Sequence, residues 1–448
     1  MRSYSCPFFF KFSFSSLFHT YSVSKRPIMT LLPKNLRREA KDLVVERMWT
    51  GASWAEGPCW LPSDNKLLFS DVINSTQYLL DPETRKATVL RLHTTNGNGN
   101  TIDHVNVHTH YYGFYPPELE DLADYIILTC EHGRRCVTAT VPPHAIERYI
   151  AKYGYDSSKS PSVQARHCAD EGLSRAHALI PPYMMITNKV VSEKFQTFRY
   201  NSPNDIVIRP NDGTIWFTDP PFGILSNKEG YQAGSQLNGC YVFCIYPTHL
   251  CTVKSRTGKN GEPLPLPSKK ECEEVGQNAD SLNLLNETRH VVRIALNDVI
   301  APNGLAFSPD GSKLYVADCS LEVYSFRDGS SDILVYDIVE GEEREYVSER
   351  VNKEGEIEEQ VTLAYREIKA VNRRSFCTIH PGIPDGFRVD ADGYIYTSSA
   401  HAIIVYSPEG QEVNRIEVPE RVSNCSFGGK DGHDLYVTAD HSIYRIRF

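Results

Sequence analysis

At 448 residues, with 41% hydrophobic and 23% charged side chains, the chain has the composition of a folded globular protein, long enough for one large domain or two to three ordinary ones. A formal net charge of −9 excludes the basic face that nucleic acid or an anionic membrane needs, and favours small molecules or cations as partners. The twelve cysteines are scattered from Cys6 to Cys425 without the spacing of a disulfide framework, Cys240 and Cys244 apart, and read as free thiols of a reducing compartment.

Residues 1–40 form an N-terminal extension. It carries Arg2, Lys11, Lys25, Arg26, Lys34, Arg37 and Arg38 with no acid before Glu39, the composition of a transit peptide or of sequence upstream of a start at Met29. No stretch is long and apolar enough to span a bilayer. The expected compartment is the cytoplasm, or the mitochondrion if residues 1–38 are a transit peptide.

Strand patterns begin near residue 41. Trp54-Ala55-Glu56-Gly57-Pro58 leads through Ser63-Asp64-Asn65 to Leu67-Leu68-Phe69-Ser70-Asp71. A second unit opens at Asn98-Gly99-Asn100, but its return strand waits until Ile126 to Gly133 behind an insert near 104–125. His108 and His110 in that insert have the spacing of a zinc pair on one strand face, yet no third ligand accompanies them, so they read as loop histidines. A longer insert, 142–191, starts with a helical period over 144–153.

Four more units follow. Ser202-Pro203-Asn204-Asp205 leads to Asn211-Asp212-Gly213 and Trp216-Phe217-Thr218-Asp219, and Ala301-Pro302-Asn303-Gly304 leads to Asp310-Gly311 and Val316-Ala317-Asp318. Ile383-Pro384-Asp385-Gly386 leads to Asp392-Gly393, and Val422-Ser423-Asn424 leads to Asp431-Gly432. Surface excursions near 252–289 and 341–369 interrupt them. Asp-Gly between alternating apolar runs is a strong hairpin signal, glycine supplying the positive φ of the turn.

Six repeated hairpin units without βαβ alternation predict an all-β fold, a six-bladed β-propeller with surface insertions over residues 41–448. The first strand of each blade lines the central channel. Glu56, Asn100, Asn204, Asn303, Asp385 and Asn424 then converge at one mouth although far apart in sequence.

Read together, Trp54-Ala55-Glu56-Gly57-Pro58, Glu131-His132-Gly133, Asn201-Ser202-Pro203-Asn204-Asp205, Trp216-Phe217-Thr218-Asp219-Pro220-Pro221-Phe222-Gly223, Pro302-Asn303-Gly304 and Pro384-Asp385-Gly386 resemble the senescence-marker-protein, gluconolactonase and luciferin-regenerating-enzyme family. The resemblance implies a six-bladed propeller with one catalytic divalent cation at the channel mouth, and hydrolysis of a sugar lactone. It aligns Glu56, Asn303 and Asp385 with metal ligands, and Asn204 with an asparagine that contacts the substrate or a water on the ion, so that Asn204 joins both sets. Asn100 and His132 fall on pocket positions, and Asp219 on a pocket-wall or structural one.

Two carboxylates and two amides offer only oxygen, which suits a hard cation. Ca2+ is the first choice, with Zn2+, Mn2+, Mg2+ and Fe2+ as the other candidates. The expected chemistry is attack of water, activated by Asp385, on a lactone carbonyl held with the help of Asn204. No Gly-x-Ser-x-Gly elbow points to a serine hydrolase. Rival readings are a phosphotriesterase or aryl esterase on the same site, a non-catalytic calcium-binding propeller, and plain turns at Pro-Asn-Gly and Pro-Asp-Gly. The expected assembly is a monomer or weak homo-oligomer.

Overall fold

The computed structural model describes residues 43–109, 111–114, 118–153, 188–264, 290–324, 329–352 and 356–448. The N-terminal extension, His110, and most of the stretches near 142–191 and 252–289 lie outside them. Alternating apolar residues between Asp-Gly turns form strands as expected. The turn glycines Gly213, Gly311, Gly393 and Gly432 have φ of 80°, 66°, 85° and 75°, a region closed to most side chains.

The described residues form six antiparallel sheets of four or five strands, besides one two-stranded ribbon. Each begins on one of the six units, with leading strands Ala55–Leu61, Gly97–Asp103, Ile206–Ile208, Pro302–Phe307, Phe387–Val389 and Val422–Gly428. The sixth sheet takes its outermost strand from the other end of the chain: Val45–Thr50 pairs with Ser442–Arg447. The fourth contains the long hairpin of Asp332–Val351 and Ile357–Thr378, which accounts for the stretch near 341–369, and Thr252–Gly258 pairs along its outer arm. Helices are few and short; the longest described, Pro143–Tyr153, falls on the helical period read from 144.

Every leading strand packs against the leading strands of its two neighbours, and the sixth against the first. The contact is close enough to exclude side chains. Gly304 N donates to Asp385 O at 2.9 Å and Gly386 N to Ser423 O at 2.8 Å. A Cβ on Gly304 would sit 2.3 Å from Asp385 O, and one on Gly386 would sit 1.9 Å from Asn424 Cγ. The glycine of Pro-Asn-Gly and Pro-Asp-Gly is therefore there for backbone approach between sheets, where a reading of the motif as a turn would have placed it in a loop. Apolar side chains fill the wedges between sheets, Phe217 and Phe243 against the second-sheet residues Leu128 and Val137, Trp216 against Leu305 and Leu314 of the fourth.

Candidate functional site

The residues that open the leading strands are set in place by a device repeated around the ring. At the end of the second strand of the first, third and fourth sheets stands a buried aspartate that accepts two consecutive main-chain N–H groups from the incoming loop. Asp71 takes Ser53 N at 3.0 Å and Trp54 N at 3.2 Å; Asp219 takes Asn201 N and Ser202 N, both at 2.8 Å. Asp318 takes Ile300 N at 3.3 Å and Ala301 N at 3.2 Å. In each case the two N–H groups lie three and two residues before Glu56, Asn204 or Asn303. The carboxylate thus fixes the chain just where it enters the leading strand. The fifth sheet substitutes a hydroxyl, Ser398 Oγ accepting Asp385 N at 2.8 Å.

The strand ladders also slip at these residues. Register breaks fall between Glu56 and Cys59, Gly97 and Asn100, Pro302 and Leu305, and Val422 and Asn424. Such bulges re-aim side chains that a regular ladder would alternate between two faces.

Four of the expected residues come together. Asn204 Nδ2 donates to Asn303 Oδ1 at 3.2 Å, and the Asn303 amide helps to favour the ionised form of Asp385. Glu56 is 3% exposed and feels Asp385 directly: burial first, and the Asp385 charge second, push its carboxyl well above the usual range, against the Gly57 N–H and the Asn424 amide, which favour the ionised form. Burial likewise raises Asp385 to about 7, with Arg421 opposing and Glu322 and Asp205 assisting. Glu56 is buried and Asp385 half-buried, and both carboxyls are held above their usual range.

The other expected residues are engaged elsewhere. The Asn100 amide donates to Gly57 O, Ser70 Oγ and Asn98 O and accepts from Gln77 and Thr129, so it ties the first two sheets together. His132 is 1% exposed, with Nδ1 3.1 Å from Glu229 O and Nε2 3.3 Å from Asn98 Nδ2. That pairing makes it a neutral ring with its proton on Nδ1, and burial lowers it to about 4. It pins the segment after Pro220 through Glu229 O. Asp219 is the loop cradle described above, and burial raises it to about 7. The oxygen of Asn424 does not face the pocket either: it accepts Cys425 N at 2.8 Å and Arg388 Nη1 at 3.4 Å.

Two residues at the site were not singled out from the sequence. Asp205 is 2% exposed, its Oδ1 accepting Ile206 N and its Oδ2 3.8 Å from Arg388 Nη1. Both act electrostatically on Cys59 and Cys425, the fully buried thiols of the first and sixth leading strands, which places the pair deep between those strands. Glu56, Asp205 and Asp385 against one guanidinium leave a formal charge of −2 when all are ionised, the complement of one divalent cation. Among the described residues no three His, Cys, Asp or Glu side chains gather as a metal site by themselves. Any ion would need the amide oxygens of Asn204 and Asn303, the oxygen-only set that hard cations take.

The described residues form six antiparallel sheets whose leading strands contact one another in cyclic order, with acidic and amide side chains at the starts of those strands. Comparison with known proteins narrows that class. Residues 357–441 match the SMP-30/Gluconolactonase/LRE-like region. The chain is 25% identical over 281 residues to the gluconolactonase of Zymomonas mobilis, covering 62% of this chain and 59% of that protein. It is 29% identical over 159 residues to the L-arabinolactonase of Azospirillum brasilense, covering 35% and 41%. The matches thus span less than two thirds of these relatives' own lengths. Among solved structures, a gluconolactonase from Xanthomonas campestris superposes with a TM-score of 0.56 at 22% identity over 91% of both chains, which extends the likeness to the fold as a whole.

Proposed function

We propose that the chain is a six-bladed β-propeller that hydrolyses a sugar lactone to the aldonic acid with the help of one divalent cation, Ca2+ first. The observation that carries this is the electrostatic influence of half-buried Asp385 on buried Glu56, with the amides of Asn204 and Asn303 hydrogen-bonded to each other at the neighbouring strand starts. Desolvated carboxylates that feel one another's charge hold protons more strongly, and a cation would relieve both effects. The lactonase relatives supply the substrate class, and the cyclic contact of leading strands supports closure of the ring.

When bound between Glu56, Asp385, Asn204 and Asn303, a divalent cation would act as a Lewis acid on the lactone carbonyl. The chain supplies the remainder. Asp385 takes a proton from water as its oxygen adds to the carbonyl carbon, and that proton passes to the ring oxygen as the C–O bond opens. Asn204 orients the substrate with whichever amide atom the ion leaves free. His132 holds the segment after Pro220 through Glu229 O.

The test uses pure protein with gluconolactone, arabinonolactone, xylonolactone and an organophosphate. Lactone turnover that a chelator removes and added Ca2+ restores is the expected result, and Asp385→Ala should lower kcat by about 10²–10⁴-fold, the usual contribution of a general base. Activity that survives exhaustive chelation would overturn the cation. Turnover of the organophosphate alone would move the substrate class.

A further inference from the structure

We propose that Trp54, Glu322 and Arg421 set the specificity of the enzyme by binding the hydroxyl groups of the sugar lactone beside Asp385; the proposal rests on the lactone-hydrolase reading above. Arg421 and Glu322 form an ion pair between sheets that are not neighbours. Arg421 immediately precedes Val422–Gly428, the leading strand of the sixth sheet, and Glu322 lies in the short helix Ser320–Tyr324 after Lys313–Asp318, the second strand of the fourth. Arg421 Nη2 donates to both carboxylate oxygens of Glu322, at 2.8 Å and 2.6 Å.

To meet, the two side chains must cross the start of the fifth sheet, whose leading strand packs between those of the fourth and sixth. A leading strand begins on the side where its antiparallel second strand ends, so both residues lie on the side from which Asp385 enters. Main-chain bonds keep the crossing short. Gly304 N of the fourth sheet donates to Asp385 O, and Gly386 N donates to Ser423 O, two residues past Arg421. At the other end of the pair, Glu322 N donates to Cys319 O at 3.1 Å, and Asn303 Nδ2 donates to Cys319 Sγ at 3.7 Å, which ties the Glu322 helix to a residue of the proposed cation site. Both charges accordingly bear on the Asp385 carboxyl, Arg421 lowering it and Glu322 raising it.

Trp54 joins them from the first sheet, two residues before Glu56. It is half-buried, and the guanidinium carbon of Arg421 stands 5.7 Å from the centre of its ring. One aspartate sets the main chain beside both: Asp440 O accepts Ala55 N at 2.9 Å, and Asp440 Oδ2 accepts Arg421 N at 3.2 Å. The group has the chemistry of a sugar site. The side chains of Arg421 and Glu322 are 40% and 47% exposed, open to a ligand, and as a pair they carry no net charge, which suits hydroxyls better than a phosphate or carboxylate. Arg421 meets Glu322 through Nη2, so its other guanidinium N–H groups can donate to one hydroxyl while a Glu322 oxygen accepts from the next. The indole offers an apolar surface to the C–H groups of the ring. Ion pair and cation–π contact hold the three in shape before substrate arrives, which spares the entropy of ordering them.

Hydroxyl recognition predicts a change of preference between substrates, which a merely structural role does not. The full chain with Ca2+ is assayed on glucono-δ-lactone and on δ-valerolactone, the same ring without hydroxyls. The parent should prefer gluconolactone more strongly than hydroxide in solution does, because a site built for hydroxyls is left with unpaired groups by a ligand that lacks them. Glu322→Gln, which breaks the ion pair, should cut the ratio of the two kcat/KM values about tenfold, mainly through the KM for gluconolactone. Arg421→Lys keeps the charge beside Asp385 and loses the fork, so it should cut the ratio similarly, and it keeps the test informative if Glu322→Gln folds poorly. Trp54→Ala should act in the same direction. A ratio that the variants leave unchanged, or a parent preference no greater than that of hydroxide, would overturn the recognition and leave lactone hydrolysis standing. A parent that turns over neither lactone would instead overturn the lactone-hydrolase reading, and the recognition with it.

Discussion

Asp219 shows how a residue at the site can matter without touching substrate. Its two oxygens each accept a main-chain N–H at 2.8 Å, and three residues later the same loop delivers Asn204. Asparagine in its place keeps one acceptor and turns a donor against the other N–H, so Asp219→Asn leaves a buried N–H unpaired. A buried unsatisfied group costs about 1–3 kcal/mol. The expected outcome is loss of about that much stability in denaturant unfolding, with a fall in lactone kcat/KM as Asn204 shifts. Equal stability of parent and variant would mean the loop holds itself. This cradle was visible in the sequence in one respect: Asp71, Asp219 and Asp318 each stand fifteen residues after Glu56, Asn204 and Asn303. Attention to the leading positions alone missed them. Asp205 and Arg388 left no such trace, since nothing in Asn-Asp or Phe-Arg says that two side chains from different sheets meet within 3.8 Å.

At the level of elements, the hairpins were legible because Asp-Gly turns and alternating apolar runs are local signals, and a ring of such units follows from them. Closure of the sixth sheet was not legible. It joins Val45–Thr50 to Ser442–Arg447, a pairing between the two ends of the chain that no local pattern encodes. Glu46 binds Arg445 at 2.6 Å, and Met48 is 3% exposed against Leu67, Phe69 and Ile443. A chain beginning at Gly51 loses this strand. Burying a side chain such as Met48 is worth about 1.5–3 kcal/mol, and the freed edge of Ser442–Arg447 becomes open to pairing with other chains. Truncation at Gly51 is thus expected to lower the thermal midpoint and promote aggregation relative to the parent chain. Light scattering during a thermal ramp reads both, and an unchanged ramp would show that the strand contributes little. The role of Asn100 shows the same limit of local reading: its position in the repeat matches the others, but the Gln77 and Thr129 that occupy its oxygen come from neighbouring strands.

For the molecule as a whole, the raised carboxyls of Glu56 and Asp385 couple stability to pH and, under the proposed function, to cations. Burial first, then the Asp385 charge, raises Glu56, and burial first, with Glu322 and Asp205 assisting against Arg421, raises Asp385 to about 7, above the range of an unfolded carboxylate near 4. A group whose folded pKa is raised binds more protons folded than unfolded between those two values, so its contribution is complete below about pH 4 and is lost as pH rises through about 7. Metal-free protein is therefore expected to lose stability across that window. A divalent cation reverses the sign, because it needs the carboxylates ionised and competes with the protons they hold. Near pH 5 the ion must displace those protons and should stabilise little. By pH 8 they are gone, and at a hundredfold excess over Kd the ion should contribute about 2.7 kcal/mol. Thermal midpoints measured with chelator and with Ca2+ at pH 5, 6, 7 and 8 should accordingly diverge as pH rises, the chelated series falling and the Ca2+ series holding. Asp385→Asn should keep the two series together at every pH, since it removes the carboxylate that both the proton and the ion require. A Ca2+ shift of equal size at pH 5 and pH 8 would place the ion away from Glu56 and Asp385.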